Sequence, residues 1–394
     1  MELLRTDLRE GDKGSQRLVG TVRYDDGCEE DYWFESPHDY PLTRSGSPWL
    51  AALLPLAATI NEPIHLSLPV DADFLQRAKA LLRLWKSWYP WSHIVRLNVD
   101  AENAHPVRKD RPVASFFSGG VDSFFSALRH PEATHWLVFL GFDMPLRNLP
   151  AFQRHVSRLS EVAAEMGKAL ITGATNLRET RWRKAPWEML AFGPALGTVA
   201  LFHELNFSKV FVPSSMDVSV QQPWGSHPLS DPLFSSALME VVHDGVEFTR
   251  TEKTEFLCQF DIALRHLHVC YRGRDGTGQD DTNCGRCQKC YRTMTTLALY
   301  GKLEAAPLFR TEDFSTEKLA TVFASEIEEP FLDELKLRAN ELERNDIAHA
   351  IEESISRSRR ARYLLKIADK LGVRFFWRFG EKIKKHALAG MISR

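Results

Sequence analysis

The hexapeptide Ser118-Gly119-Gly120-Val121-Asp122-Ser123 constrains this chain more than any other stretch. Before it runs Pro112-Val113-Ala114-Ser115-Phe116-Phe117, an apolar run suited to a buried parallel strand. After it runs Phe124-Phe125-Ser126-Ala127-Leu128, which suits the opening turns of a packed helix. A strand that passes through a small polar loop into a helix aims backbone N–H groups at one point, as phosphate binding requires. Gly119 and Gly120 let the main chain approach an anion closely, and Ser118 and Ser123 add hydroxyl donors. Asp122 shares the sign of a phosphate, so its expected part is to hold Mg²⁺ or the loop itself. The simpler alternative is a glycine turn with no ligand.

Cysteine placement is the second constraint. Cys270, Cys284, Cys287 and Cys290 cluster near one another, the last three at three-residue intervals, whereas Cys28 and Cys258 stand apart and read as core thiols. Four thiolates can close a tetrahedral Zn²⁺ site. The polar, glycine-rich run between Cys270 and Cys284 has little reason to be ordered unless its ends are pinned. An iron–sulfur cluster is the rival reading, although the fourth Cys followed by Pro of a ferredoxin run is absent.

The loop resembles the Ser-Gly-Gly-x-Asp-Ser signature of the PP-loop ATP pyrophosphatases. In that family it holds the β,γ-pyrophosphate of ATP while AMP passes to a substrate oxygen. The Lys-Ser/Thr ending of a Walker loop is absent. Together with the downstream Cys…CGxCxxC pattern, residues 112–300 are similar to 7-cyano-7-deazaguanine synthase. That resemblance implies ATP-dependent adenylation of a carboxylate, 7-carboxy-7-deazaguanine in the family enzyme, followed by amide and nitrile formation with ammonia. It implies ATP contacts from Ser118, Gly119, Gly120, Val121, Asp122 and Ser123, and from Gly141 and Phe142 after the second strand. Asp122, Ser118 and Lys253 are the expected catalytic residues, Lys253 matching the family's lysine only loosely. The family's Tyr-Gly-Gln is here Gly141-Phe142-Asp143, and its substrate loop is replaced by Trp224-Gly225-Ser226-His227-Pro228, so the identity of the acid does not carry over. The terminal regions also resemble longer homologues in bacterial defence operons, which implies conjugation of a deazaguanine to a protein partner. An RNA sulfur transferase and a nucleotide-binding module without turnover are the alternatives.

Read in order, residues 1–105 are expected to form an α+β domain. Strands are expected at 17–24, 32–34, 64–70 and 94–99, and helices at 49–60 and 73–88. After a linker, residues 112–300 alternate strand and helix, which predicts an α/β, doubly wound parallel sheet. Its expected strands are 113–117, 136–141, 168–172, 209–213 and 266–270, with helices at 122–129, 151–166, 187–206 and 251–260. Ligands of such sheets sit at the carboxyl ends of strands, so the loops after Phe117, Leu140 and Val212 are expected to converge. The segment 213–232 carries turn formers, prolines and a Trp, and reads as a substrate loop. Trp224 would supply an apolar slab, with Ser226, His227 and Asp231 at the substrate edge, while Arg250 and Lys253 could reach a phosphate from a helix start.

Residues 305–394 read as a helical extension whose end turns basic from Arg357, with Ile367, Leu371, Phe375, Phe379 and Ile383 recurring every four residues. Such a helix can dock on the acidic helices of its own chain or bind RNA or a protein partner. The chain has 394 residues and a formal net charge of -2, which gives no global nucleic-acid signature. No apolar stretch approaches a membrane span and the N-terminus lacks signal-peptide order, so a cytoplasmic place is expected. The expected ligands are therefore ATP, Mg²⁺, Zn²⁺ and a small carboxylate.

Overall fold

A computed structural model describes residues 1–11, 14–103, 110–272 and 282–370. The chain divides into two compact units, Met1–Ser118 with Ser126–Glu247, and Gly119–Phe125 with Phe248–Arg394.

The first unit is built on one ten-stranded sheet. Its strands are β1 (Glu2–Glu10), β2 (Ser15–Arg23), β3 (Glu29–Pro37), β4 (Ile64–Asp71), β5 (Leu97–Glu102), β6 (Val113–Phe116), β7 (Ala133–Leu140), β8 (Ala169–Thr175), β9 (Lys209–Pro213) and β10 (Glu240–Asp244). They lie in the order β10-β9-β6-β7-β8-β3-β2-β1-β4-β5. The run from β10 to β8 is parallel throughout, as are β1, β4 and β5, so the chain is α/β with a mostly parallel sheet. The antiparallel hairpins β1–β2 and β2–β3 and the β3–β8 pair join these two parts.

The helices are α1 (Ser47–Ile60), α2 (Ala72–Trp88), α3 (Val121–Arg129), α4 (Leu149–Glu165) and α5 (Phe192–Phe202), then α6 (Arg250–Leu257), α7 (Asp261–His266), α8 (Gln288–Leu299), α9 (Thr316–Ala320), α10 (Glu329–Glu341) and α11 (Asn345–Lys370). Every residue of α1 from Ser47 to Ala58 is buried, as is α5 from Gly193 to Phe202. A helix apolar on all sides must be enclosed, and these two pack on each other. Trp49 of α1 meets Phe34 of β3 and Phe202 of α5 edge-on, at 5.9 and 5.4 Å. Truncating so large a buried ring costs about 3–5 kcal/mol.

Three sequence expectations change here. Residues 1–105 do not stand as a sheet of their own, because β3 pairs with β8 through Phe34↔Thr175 and Glu35↔Ala174. Asn176 fastens the same join, accepting from the Trp33 N–H at 2.8 Å and donating to the Asp31 carbonyl at 2.8 Å. The β8 edge is thereby paired instead of left open. Secondly, the fifth parallel strand is Glu240–Asp244, and the run 266–270 is the end of α7 followed by an extended segment. That segment alternates like a strand because a side chain supplies its partner: Asn283 accepts from the Val269 N–H at 2.8 Å and donates to the Leu267 carbonyl at 2.9 Å. Thirdly, the helix expected over 187–206 opens as a π-helical turn, Trp187–Ala191, before α5 begins.

In the second unit, Phe125 at the opening of α3 packs on Phe248 and Phe256, with centroids 5.0 and 5.2 Å apart. Thr249 and Glu252 cap α6 reciprocally. Phe331, Leu332 and Leu335 of α10 and Ile347, Ile351 and Ile355 of α11 are buried, and α10 packs against α11. Arg359 and Arg362 pair with Glu329, and Lys366 with Glu326, so these three basic residues of α11 are met by acids of their own chain. Leu371, Phe375, Phe379 and Ile383 lie outside the described residues, as does the rest of the basic tail. No helix among the described residues is long and apolar enough to cross a membrane.

Candidate functional site

The Ser-Gly-Gly-Val-Asp-Ser segment leaves the sheet at the end of β6. Ser118 is exposed, and Gly119 takes φ +70°, a conformation that favours glycine. The Gly120 carbonyl accepts from the Phe124 N–H at 3.0 Å and from Ser123 Oγ at 3.1 Å, which closes the first turn of α3. Intrahelical bonding leaves the opening N–H groups of a helix unused, and they favour an anion. From the other side, the His268 N–H donates to the Gly119 carbonyl at 2.9 Å.

Cations gather on this loop within the second unit. Arg250, first residue of α6, donates from Nη1 to Asp122 Oδ2 at 2.7 Å. The other oxygen, Asp122 Oδ1, is buried with no hydrogen-bond partner among the described residues. Lys253 is 1 % exposed, and its ammonium lies 5.7 Å from the ring centroid of Phe125. Arg292 of α8 rests its guanidinium on Phe331 at 4.5 Å, and its Nε is buried without an acceptor among the described residues. Burial, and then the charge of Arg250, push Arg292 down to about 10, so it stays charged at neutral pH. Arg250, expected with the substrate residues, thus bonds to the loop aspartate.

The four clustered cysteines form a candidate metal centre. All four Sγ atoms lie within 4.8 Å of one another, with Cys284–Cys290 at 3.7 Å and Cys287–Cys290 at 3.6 Å. A tetrahedral ion with metal–sulfur bonds of about 2.3 Å places its sulfurs about 3.8 Å apart, so the geometry can hold a single ion such as zinc. Cys287 caps α8, and the Asn283 tie holds the segment that delivers Cys270. In the metal-free thiols, S–H donation from Cys284, Cys287 and Cys290 favours the Cys270 thiolate. The bond to Cys270 raises Cys287 in turn, and burial raises Cys290. Cys258 is a buried thiol pushed up to about 11 by burial, as expected of a core residue. Cys28 is not: it lies exposed in the turn between β2 and β3, its N–H donating to Asp26 Oδ1 at 3.0 Å.

The first unit carries the other expected site residues. Strand order reverses between β6 and β9, and the loops after β6, β7 and β9 all leave the carboxyl edge of the parallel strands. Gly141 takes φ +99°, and a Cβ there would stand 1.9 Å from the Thr175 carbonyl oxygen. Phe142 is buried, stacks on Phe139 at 6.0 Å, and accepts from Arg178 Nη1 at 2.6 Å through its carbonyl. Trp224 is half-buried beside Gly225, whose N–H donates to the Glu188 carbonyl of the π-helical turn at 2.8 Å. Asp231, 2 % exposed, fastens this loop from within. It accepts from Ser226 Oγ at 2.6 Å and the His227 N–H at 3.2 Å, and faces His243 Nδ1 at 2.8 Å. His227 packs on Trp88 at 4.8 Å, its Nδ1 accepts from the Leu229 N–H, and burial lowers its pKa. The structure therefore brings Ser226, His227 and Asp231 together, with the Asp231 oxygens engaged inside the loop.

Sequence reasoning passed over Arg292 and Asn283. Arg292 stands two residues beyond the last cysteine ligand, and Asn283 directly precedes Cys284, so both flank a legible motif without belonging to it. In comparisons with known proteins no family model matches the chain, and neither does any curated protein or solved structure.

Proposed function

We propose that this protein is an ATP-dependent adenylating synthetase of the PP-loop kind, forming AMP and pyrophosphate while activating a carboxylate. The observation that carries the reading is the glycine loop that opens α3, with Arg250 bonded to its Asp122 and Lys253 beside Phe125. A glycine turn of purely structural purpose needs no such charge.

The residues fit the expected ligands. The α3 opening and the cations would receive the phosphates of ATP, and Asp122 Oδ1, a buried oxygen without a hydrogen-bond partner among the described residues, is the kind of hard ligand Mg²⁺ takes. Mg²⁺ would supply charge neutralisation across the phosphates. Arg250 fixes the Asp122 carboxylate, and cations placed where negative charge develops favour a departing pyrophosphate. Four sulfurs converging on one point suit a closed structural Zn²⁺ site; a four-iron cluster holds one thiolate on each iron and spreads its cysteines more widely. By its resemblance to 7-cyano-7-deazaguanine synthase, the first acid to try is 7-carboxy-7-deazaguanine, with an amine of a small molecule or of a protein as acceptor.

ATP–pyrophosphate exchange against a panel of acids tests this, because exchange reports a reversible adenylate even without the acceptor. The expected result is exchange stimulated by a carboxylate, with AMP and pyrophosphate by ³¹P NMR. ADP and phosphate as products would overturn the reading. AMP released only in the presence of RNA would favour sulfur transfer.

A further inference from the structure

We propose that the outer face of α2, with Trp91 in the turn that follows it, binds single-stranded nucleic acid. This surface lies wholly in the first unit, goes beyond the nucleotide reading above and does not depend on it. From Phe74 to Val99 the chain holds five basic residues, Arg77, Lys79, Arg83, Lys86 and Arg96, and no acid, within a protein of net charge -2. Helix α2 sorts its residues by face. Phe74, Leu75, Ala78, Leu81, Leu82 and Trp85 are buried, so the opposite face meets solvent. Lys79 and Arg83 stand one turn apart on that face, a rise of about 6 Å. Neither they nor Arg77 make an ion pair among the described residues. Helices of the second unit pair their cations instead: Lys336 meets Glu352, and Arg359 and Arg362 meet Glu329. A row of cations left without acids favours a partner that brings its own negative charge.

The turn after α2 adds an aromatic platform to that row. Tyr89 caps the helix, its N–H donating to the Trp85 carbonyl at 2.8 Å and its hydroxyl to the Met189 carbonyl at 2.7 Å. Lys86, one turn beyond Arg83, folds the next residues back by donating to the carbonyls of Pro90 and Ser92 at 2.7 and 3.0 Å. Trp91 is thereby laid on the buried Tyr89 ring, centroids 5.1 Å apart and planes 21° from parallel, and stays 38 % exposed. Tyr89 covers one face of the indole and leaves the other toward solvent. A fixed, exposed ring at the end of a basic row suits an unpaired base stacked on the indole, with its phosphates along Arg83 and Lys79. Bases inside a duplex are not offered for such stacking, which selects single strands. An anionic membrane fits less well, because the apolar face that an interfacial helix inserts is here buried in the core.

Fluorescence anisotropy of the full-length protein with short labelled oligouridylate, oligothymidylate and a duplex of equal length, over a range of salt, tests this. The two single strands should bind alike, since backbone charge and stacking are common to both, and the duplex more weakly. Joint replacement Lys79→Gln and Arg83→Gln should weaken oligouridylate binding about tenfold or more. It should also lower the slope of log affinity against log salt by about 1.4, at about 0.7 per phosphate contact. Trp91→Ala should weaken binding about five- to a hundred-fold with the slope unchanged, and Trp91→Phe, which keeps a ring, should fall between. These side chains lie at the surface, so the variants should unfold close to the wild-type temperature. Wild-type protein that binds no single strand would overturn the proposal, as would capture of phosphatidylserine vesicles in its place. Affinity unchanged in both the double variant and Trp91→Ala would also overturn it, by placing the binding elsewhere on the chain.

Discussion

Replacing Asn283 with alanine should unfasten the cysteine centre from the side of Cys270. The Asn283 side chain holds the extended segment by two bonds, Val269 N–H to Oδ1 at 2.8 Å and Nδ2 to the Leu267 carbonyl at 2.9 Å. All three residues are buried, Asn283 at 1 % exposure. Each such bond contributes about 1 kcal/mol net, but truncation strands the main-chain N–H and C=O, at about 1–3 kcal/mol apiece. The expected loss is therefore about 2–5 kcal/mol. Part of it appears as weaker metal binding, because the freed segment carries a ligand: at about 1.4 kcal/mol per decade, a tenfold or greater fall in affinity. Asn283→Asp keeps the acceptor and loses the donor, and should lie between. Urea unfolding of the metal-loaded protein reads the first quantity, and competition for Zn²⁺ with a chromophoric chelator reads the second. An alanine variant within about 0.5 kcal/mol of wild type, with unaltered metal affinity, would refute the view that this amide stands in for a neighbouring strand.

Asp122→Ala should abolish ATP turnover while lowering stability by only about 1–2 kcal/mol, since its partner Arg250 keeps some access to water; turnover at a tenth of wild type or more would count against its role. Gly141→Ala combines φ +99° with a Cβ 1.9 Å from a backbone oxygen, so it should cost about 3 kcal/mol or more, measured by denaturant unfolding. His203 is fully buried and pushed down to about 3 by burial, against about 6.5 when unfolded. Between those values the unfolded chain binds a proton that the native one does not. This contribution is complete above about pH 6.5 and is lost at about 1.4 kcal/mol per unit as pH falls toward 3. His203→Gln should flatten that limb of the stability profile, and an unchanged slope would show that another group sets it.

Local pattern made most single elements legible. Apolar enclosure announced α1, alternation announced β2 and β4, and the spacing of Phe152, Val156, Leu159, Val162 and Ala163 announced the inward face of α4, where all but the half-buried Val156 are buried. Pairing across distance was not legible. Nothing in the sequence of β3 says that its free edge meets β8, because alternation fixes which face is buried and not which neighbour is bonded. Glu240-Val-Val-His-Asp is short and half polar, so it reads as loop; parallel pairing with β9 makes it a strand. The segment 266–270 fails in the opposite sense, since its strand-like alternation is satisfied by one asparagine side chain.

The candidate site divides the same way. Ser118–Ser123 and the cysteine spacing are legible because their geometry is local: a loop between strand and helix, and tight turns that turn successive sulfurs inward. Arg292, Asn283 and His268 are set by folding at a distance, and together they join the two motifs. The His268 N–H holds the Gly119 carbonyl at 2.9 Å, two residues before Cys270 enters the metal cluster. On the far side of that cluster, α8 follows its Cys287 cap and carries Arg292, whose guanidinium rests on Phe331. The glycine loop is thus held through one residue upstream of the cysteines. A metal ion held by the four cysteines would therefore tie the segment that holds Gly119 to the helix that carries Arg292, both within the second unit.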